Sequence, residues 1–429
     1  MDKNPFKIGI AGLGTVGTGI IDVYQKNIRE INKKAGREII LMAVSAQNKN
    51  RDRGVVLTDF HWEDNPLSLA ERNDIDLIVE VIGGSDGAAK TLIERALQNR
   101  KHIVTANKAL IAKHGVYLAE LAEHKGVNLR FEAAVAGAIP IVKSILESLS
   151  SNTIHKILGV MNGTCNYILT RMEQTGKSYE EVFAEADSLG YVEADPTLDV
   201  GGIDAAQKLA ILSAIAFQTA VDFDNVEVDG IEKISLVDIE NAKSMGYRIK
   251  LLGISQQTEG GVHQEVEPCL VPRSSAIAKL EGGTNMVVVD SDFVGQVSFT
   301  GPGAGAGPTA SAIWSDIIDV VRENKNLPFG ISTKYLKNID KALTDIRNCY
   351  YLRFTLEDKP GVLAKVAAIL GNNEISIDRM RQTAHDGNEA PLLIVTHNTS
   401  RDKISKAIVE IKHLDVCLNT PVAIKIEEV

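Results

Sequence analysis

The segment from Gly190 to Leu209 concentrates the side chains best able to do chemistry. It carries Glu193, Asp195, Asp199 and Asp204 and then Lys208. The stretch from Ile203 to Phe217 reads as a helix, so Asp204 and Lys208, at i and i+4, share one face. Taken alone such a pair is ordinary, worth at most ~0.5 kcal/mol on a solvated surface. Two features set this one apart. The helix beyond it, Leu209-Ala210-Ile211-Leu212-Ser213-Ala214-Ile215-Ala216-Phe217, is too apolar to be a surface helix. The acids before it converge without matching cations. Clustered carboxylates suit an amino-group ligand or a metal. A lysine ammonium beside them can donate a proton to an oxygen on which negative charge develops.

Four further groups of residues offer chemistry. Gly12-Leu13-Gly14-Thr15-Val16-Gly17 follows the β-type run Phe6–Ala11 and precedes an apolar helical stretch. That context makes it a dinucleotide fingerprint: Gly12 for a tight turn, Gly14 for approach of a pyrophosphate, Gly17 for close helix packing. The helix start then presents free N–H groups to phosphate. Lys108 follows the strand-like His102–Ala106, at the end of the sheet where ligands bind. Spacing alone makes it an ordinary surface lysine. Thr164, in Asn162-Gly163-Thr164-Cys165-Asn166, is placed to cap a helix whose N–H groups could hold a carboxylate. Glu132 lies in an apolar run and needs a partner.

These residues require a scaffold. Strand-like runs at 39–45, 76–82, 102–106 and 128–134 alternate with helical stretches at 86–99 and 109–125, which predicts a parallel, doubly wound sheet. The second strand ends Val44-Ser45-Ala46-Gln47 with no carboxylate for ribose hydroxyls, and Lys49, Arg51 and Arg53 follow. NADP is therefore favoured over NAD, with Ser45 and one of these cations near the 2′-phosphate. A glycine-rich loop, Phe299 to Pro308, precedes a helix at 309–322. From Tyr350 the order is β-α-β-β-α-β, a ferredoxin-like unit, after a polar stretch at 332–348 that reads as a linker or short helix.

The bounds are those of a soluble, globular chain. The chain has 429 residues, a net charge of −10 and 44% hydrophobic residues, enough for two or three domains. Its acidity and the lack of a basic patch argue against nucleic acid, and no apolar run is long enough to span a bilayer. The four cysteines, Cys165, Cys269, Cys349 and Cys417, have no metal-type spacing and read as reduced cytosolic thiols. The first strand starts too early to leave room for a secretory signal, so a cytoplasmic location is expected.

Over its whole length the chain resembles homoserine dehydrogenase. The resemblance rests on the Gly190–Leu209 segment, on Thr105-Ala106-Asn107-Lys108 and on Asn162-Gly163-Thr164-Cys165-Asn166-Tyr167-Ile168-Leu169. It implies an NAD(P)-dependent oxidoreductase of threonine and methionine biosynthesis, interconverting L-homoserine and L-aspartate 4-semialdehyde. Lys208 would be the general acid–base. Glu193 and Asp199 would bind the substrate's amino and hydroxyl ends, with Asp204 nearby and Thr164 in the wall of the site. Lys108 would lie at the active site. Gly190 and Gly305 would lie near the nicotinamide, and Gly12, Gly14, Thr15, Val16 and Gly17 would hold the cofactor. A monovalent cation, sodium or potassium, would sit on Glu132 and the carbonyls of Val135, Gly137 and Ile139.

The turn Asp358-Lys359-Pro360-Gly361-Val362-Leu363 resembles that of an ACT domain, a sensor of small amino acids, with threonine the expected effector. The implied organisation is a Rossmann unit at 1–135 plus 300–335, an α+β substrate and dimerisation unit at 136–299 and an ACT unit at 349–429. A homodimer or homotetramer would follow. With a strand opening at Phe6, a fused kinase region ahead of it is not expected. Two other readings stay open: a non-catalytic amino-acid sensor, and a Rossmann oxidoreductase for another amino acid.

Overall fold

In the computed structural model, residues 4–192, 195–338, 346–382 and 389–429 are described. The first unit is a parallel sheet of β1 (Phe6–Ala11), β2 (Ile39–Ser45), β3 (His61–Glu63), β4 (Leu77–Glu80), β5 (His102–Thr105) and β6 (Leu129–Arg130), in the order β3-β2-β1-β4-β5-β6. Its helices are α1 (Thr15–Ala35), α2 (Ser68–Glu71), α3 (Ala88–Gln98) and α4 (Lys108–Lys125). The order reverses between β1 and β4, and a doubly wound sheet binds ligands at the C-terminal ends of the strands flanking that point. The strand expected over 128–134 is shorter. After Arg130 the chain turns through a 3₁₀ segment, Glu132–Ala134, which carries it out of the sheet.

The second unit begins after α5 (Ile141–Lys143). It contains β7 (Ile154–Val160), α6 (Gly163–Thr175), α7 (Tyr179–Ser188), α8 (Pro196–Val200), α9 (Ile203–Phe217), β8 (Glu227–Val228), α10 (Leu236–Ser244), β9 (Tyr247–Thr258), β10 (Gly261–Pro272), β11 (Thr284–Ser291) and β12 (Gly295–Pro302). Helix α9 is buried over most of its length and packs on β7, β9, β10 and α4, so it connects the two units. The acidic segment before it is not all turn, since Asp195 caps the short α8 through its carboxylate. After β12 the chain returns to the first unit as α11 (Ala306–Val321). That helix lies on α1, and Trp314 Nε1 donates to the Ile20 carbonyl at 3.1 Å.

The last unit has β13 (Arg347–Glu357), α12 (Val362–Asn372), β14 (Ile377–Gln382), β15 (Glu389–Thr396), β16 (Thr399–Ser400), α13 (Arg401–Lys412) and β17 (Val422–Ile426). Its strand order, β17-β13-β15-β14, is that of a ferredoxin-like unit. The outer strand β17 pairs in parallel with β10, Cys269 opposite Lys425 and Leu270 opposite Ile426, so both units share one sheet. Buried Lys425 contacts Glu265 and Glu267 across this seam, and Lys156 reaches Glu427 at 2.5 Å. Part of the 332–348 stretch expected as a linker lies outside the described residues; Lys337 makes a bridge with Thr219.

The fingerprint glycines divide by steric role. Gly12 has φ +104°, and a Cβ there would lie 2.4 Å from the Val81 carbonyl oxygen; one on Gly17 would lie 2.0 Å from that of Gly12. A Cβ on Gly14 would meet no atom within 4 Å. Gly17→Ala should therefore lower stability by roughly 1–3 kcal/mol, because backbone must move to admit the methyl. Gly14→Ala should cost less than about 1 kcal/mol, as expected at a helix cap. Urea midpoints of the two variants check this contrast.

Candidate active site

A cavity of about 770 Å³ lies between the first two units. Val16, Ala106, Lys108 and Thr309 line one side; Asn162, Thr164, Asp199, Asp204 and Lys208 line the other. Gly190, Tyr191 and the loop from Gly301 to Gly305 complete its walls, together with Thr284 and Asn285.

Asp204 stands at the centre. Its Oδ2 accepts from Lys208 Nζ at 2.7 Å and from Asn162 Nδ2 at 2.9 Å, while its Oδ1 lies 3.1 Å from Lys108 Nζ. Only 6% of Asp204 and 8% of Lys208 is exposed, which excludes the solvated surface pair that their spacing alone allows. Burial would raise the Asp204 carboxyl, but the ammonium groups of Lys208 and Lys108 outweigh it and hold the acid down at about 2. Lys208 Nζ also donates to the Met161 carbonyl at 2.8 Å. An ammonium has three N–H donors, so one remains for a ligand.

The elements explain why these groups meet. Lys108 opens α4, and Asn107 caps that helix by accepting from Leu110 N at 3.1 Å. Thr105 Oγ1 donates to Glu80 at 2.6 Å and accepts from Asn107 N at 3.0 Å. Glu80, fully buried at the end of β4, accepts from Ile82 N at 2.8 Å and Gly83 N at 3.2 Å. Thr105, Asn107 and Glu80 thus fix the strand ends from which Lys108 projects.

Opposite, the helix expected to begin at Cys165 starts at Gly163 and is capped by Asn162, not Thr164: Asn162 Oδ1 accepts from Cys165 N at 2.8 Å. Asn162 lies two residues earlier, so the helix starts earlier and the capped N–H group is that of Cys165. Thr164 instead donates to the Tyr191 carbonyl at 2.8 Å, tying α6 to the Gly190 turn. The Asn162 amide also donates to Asp199 at 2.8 Å, joining the two buried acids. Reading the sequence missed Asn162; an amide two residues after a buried strand, facing clustered acids, was the available signal. Glu193 lies outside the described residues.

Among the cofactor candidates, Val16, Lys108, Gly190 and Gly305 line the cavity. Gly12, Gly14, Thr15 and Gly17 form the turn and helix start beside it. Ser45 is 1% exposed; its carbonyl accepts from Gly12 N at 2.9 Å and its hydroxyl makes no hydrogen bond among the described residues. Lys49 and Arg51 are exposed. Arg53 folds back, donating to the Leu13 carbonyl at 3.2 Å and lying 5.5 Å from the Trp62 ring centre.

Glu132 is 2% exposed and accepts from Val142 N at 3.0 Å and Lys143 N at 2.8 Å. Burial, and after it the neighbouring carboxylate of Asp316, pushes its carboxyl up to about 8. Gly137 lines the cavity, and the Ile139 carbonyl accepts from Ile141 N at 2.8 Å. Val135 is buried beside them. Among the described residues, no group of three or more His, Cys, Asp and Glu is placed to hold a metal ion, and no helix is long and apolar enough to cross a membrane.

Residues 12–132 match the model of a homoserine dehydrogenase NAD-binding domain, 140–318 that of homoserine dehydrogenase and 350–413 that of an ACT domain. The homoserine dehydrogenase of Pseudomonas aeruginosa is 42% identical over 99% of both chains, and that of Neisseria gonorrhoeae 41% identical over 97% of both. A crystal structure of a homoserine dehydrogenase from Thiobacillus denitrificans superposes with a TM-score of 0.94 at 39% identity, covering 99% of each chain. A hyperthermophilic archaeal homoserine dehydrogenase in complex with NADPH superposes at 0.65 with 25% identity, over 76% of this chain and 100% of that one. The chain belongs to the homoserine dehydrogenase family, nicotinamide-dependent oxidoreductases acting on a CH–OH group, and carries an ACT domain.

Proposed function

We propose that Lys208, held by Asp204 at the centre of the cavity, is the proton donor and acceptor in the interconversion of L-homoserine and L-aspartate 4-semialdehyde. The juxtaposition of Lys208, Asp204 and Lys108 carries this reading. A bound nicotinamide supplies or accepts the hydride. As the aldehyde is reduced, charge builds on its oxygen, and the remaining Lys208 N–H is suited to stabilise and then protonate it. In the reverse direction Lys208 takes the hydroxyl proton. Asp199 and Glu193 bind the substrate's amino and hydroxyl ends, Thr164 positions the wall beside them, and Lys108 balances the charge of Asp204.

The turn Gly12 to Gly17 suits a dinucleotide, since the space over Gly14 is open where a pyrophosphate would approach. We assign NADP as the preferred cofactor. Of the three candidate cations, Arg53 is the one held against the turn, and the Ser45 hydroxyl is buried at the end of β2. Gly190 and Gly305 border the nicotinamide end. A sodium or potassium ion fits Glu132 with the carbonyls of Val135, Gly137 and Ile139. Its charge would offset that of a buried carboxylate, which keeps lone pairs beyond the two N–H bonds it accepts.

The chain divides into a nucleotide unit at 1–135 plus 300–335, a substrate and dimerisation unit at 136–299 and the ACT unit at 349–429. It works in the cytoplasm as a homodimer or homotetramer. Threonine bound near Gly361 is the proposed effector, and the β10–β17 seam offers a direct mechanical route to the substrate unit.

Absorbance of the reduced nicotinamide, followed with L-homoserine and NADP or NAD, tests the reaction. Lys208→Ala should lower kcat by about 10²–10⁴-fold while cofactor affinity holds, the range expected for losing a general acid–base. Near-normal turnover would remove Lys208 from the mechanism. Arg53→Ala should raise KM for NADP at least about tenfold and leave that for NAD within about twofold, because only the 2′-phosphate loses a charged partner.

A further inference from the structure

Asn285, the second residue of β11, lines the cavity yet is fully buried. Neither its Nδ2 nor its Oδ1 makes a hydrogen bond among the described residues. Buried amides are normally satisfied, and an amide with both its donor and its acceptor unpaired calls for an explanation. Crowding does not supply a partner. Asn285 lies opposite Gly301 in the β11–β12 ladder and beneath Gly303. A Cβ on Gly303 would lie 2.1, 2.2 and 2.5 Å from Nδ2, Cγ and Oδ1 of Asn285. These near-equal distances put that Cβ position over the flat face of the carboxamide, so the Gly303 contact supplies no partner to its buried edge. The edge carries the unpaired donor and acceptor.

We infer that Asn285 is a positioning residue for the cofactor, pairing edge to edge with the carboxamide of the nicotinamide ring. The charged ends of an amino-acid substrate do not fit this edge. A substrate carboxylate only accepts and an ammonium only donates, so each leaves half of the Asn285 edge unpaired. A carboxamide satisfies both halves at once. Location agrees: Gly301, Gly303 and Gly305 line the same cavity as Lys208 and Val16. Asn285 lies beside the end of β7, whose next residue, Met161, accepts from Lys208. Pairing there fixes the rotation of the ring and hence the face it turns toward the reacting carbon. Gly303 is needed because any side chain on it would enter the space of the amide.

The inference rests on the nicotinamide occupying this cavity, as proposed above. Its test compares NADP with its 3-acetylpyridine analogue, which keeps the ring carbonyl but lacks the amide N–H₂. In the unmodified enzyme the dissociation constant of the analogue should be at least about tenfold weaker, as for a site built to bond a missing donor. In Asn285→Leu and Asn285→Ala that preference should collapse to within about twofold, and 2′,5′-ADP should bind as before, reporting an intact fold. The KM for homoserine should stay within about twofold. Equal affinity for the two dinucleotides in the unmodified enzyme would overturn the assignment, and so would a preference that survives in both variants. A raised homoserine KM with the preference unchanged would place the substrate at Asn285 and overturn it too. Because dissociation constants need no turnover, a failure of the proposed reaction is read separately.

Discussion

A single buried carboxylate organises the site. Asp204 sits between two ammonium groups carried by different units: Lys208 one helical turn along α9, and Lys108 at the first residue of α4. Desolvation of an isolated carboxylate here would be prohibitive, and removing both lysines would leave an uncompensated buried charge. The interaction therefore stabilises the docking of the two units and orients Lys208, the proposed proton-transfer group, at the same time. The surrounding bonds serve that geometry. Asn162 ties Asp204 to Asp199, Met161 takes a second N–H of Lys208, and the Glu80–Thr105–Asn107 network holds the strand ends beneath Lys108.

The fold delivers these parts by alternating between the units. The chain forms the nucleotide sheet, crosses to build the second unit, and returns through the Gly301–Gly305 loop to lay α11 on α1. The cavity lies along this double crossing, so both the glycine fingerprint and the acidic segment open onto one space. The ACT unit is joined to the same framework by hydrogen bonding, through β10 and β17. The sheet that β17 joins is the one against which α9, and with it Lys208, is packed.

Legibility in the sequence followed the range of the physics. Gly12, Gly14 and Gly17 were readable because turn and close-packing sterics act over a few residues, and the ferredoxin-like order was readable from periodicity. Asp204 and Lys208 were readable as a pair, but their burial depends on α9 packing on β7, β9 and β10. The contact between Lys108 and Asp204 has no local signature; the family resemblance drew attention to Lys108, and only tertiary packing brings it to Asp204. Local reading failed where a neighbour competed. Asn162 took the cap assigned to Thr164, and the strand after Asn128 gave way at Glu132, whose carboxylate is drawn to the N–H groups of Val142 and Lys143. Asn285 was invisible because an amide in a strand says nothing about its partners.

The most direct measurement is the turnover number of Asp204→Asn, with cofactor affinity determined on the same protein. The amide keeps the shape of the side chain but removes the charge that both lysines face. A loss of at least about 10²-fold in kcat, with unchanged nicotinamide binding, is the expected result for a group that orients a general acid–base. Turnover within a few-fold of the unmodified enzyme would contradict the central role given to this carboxylate.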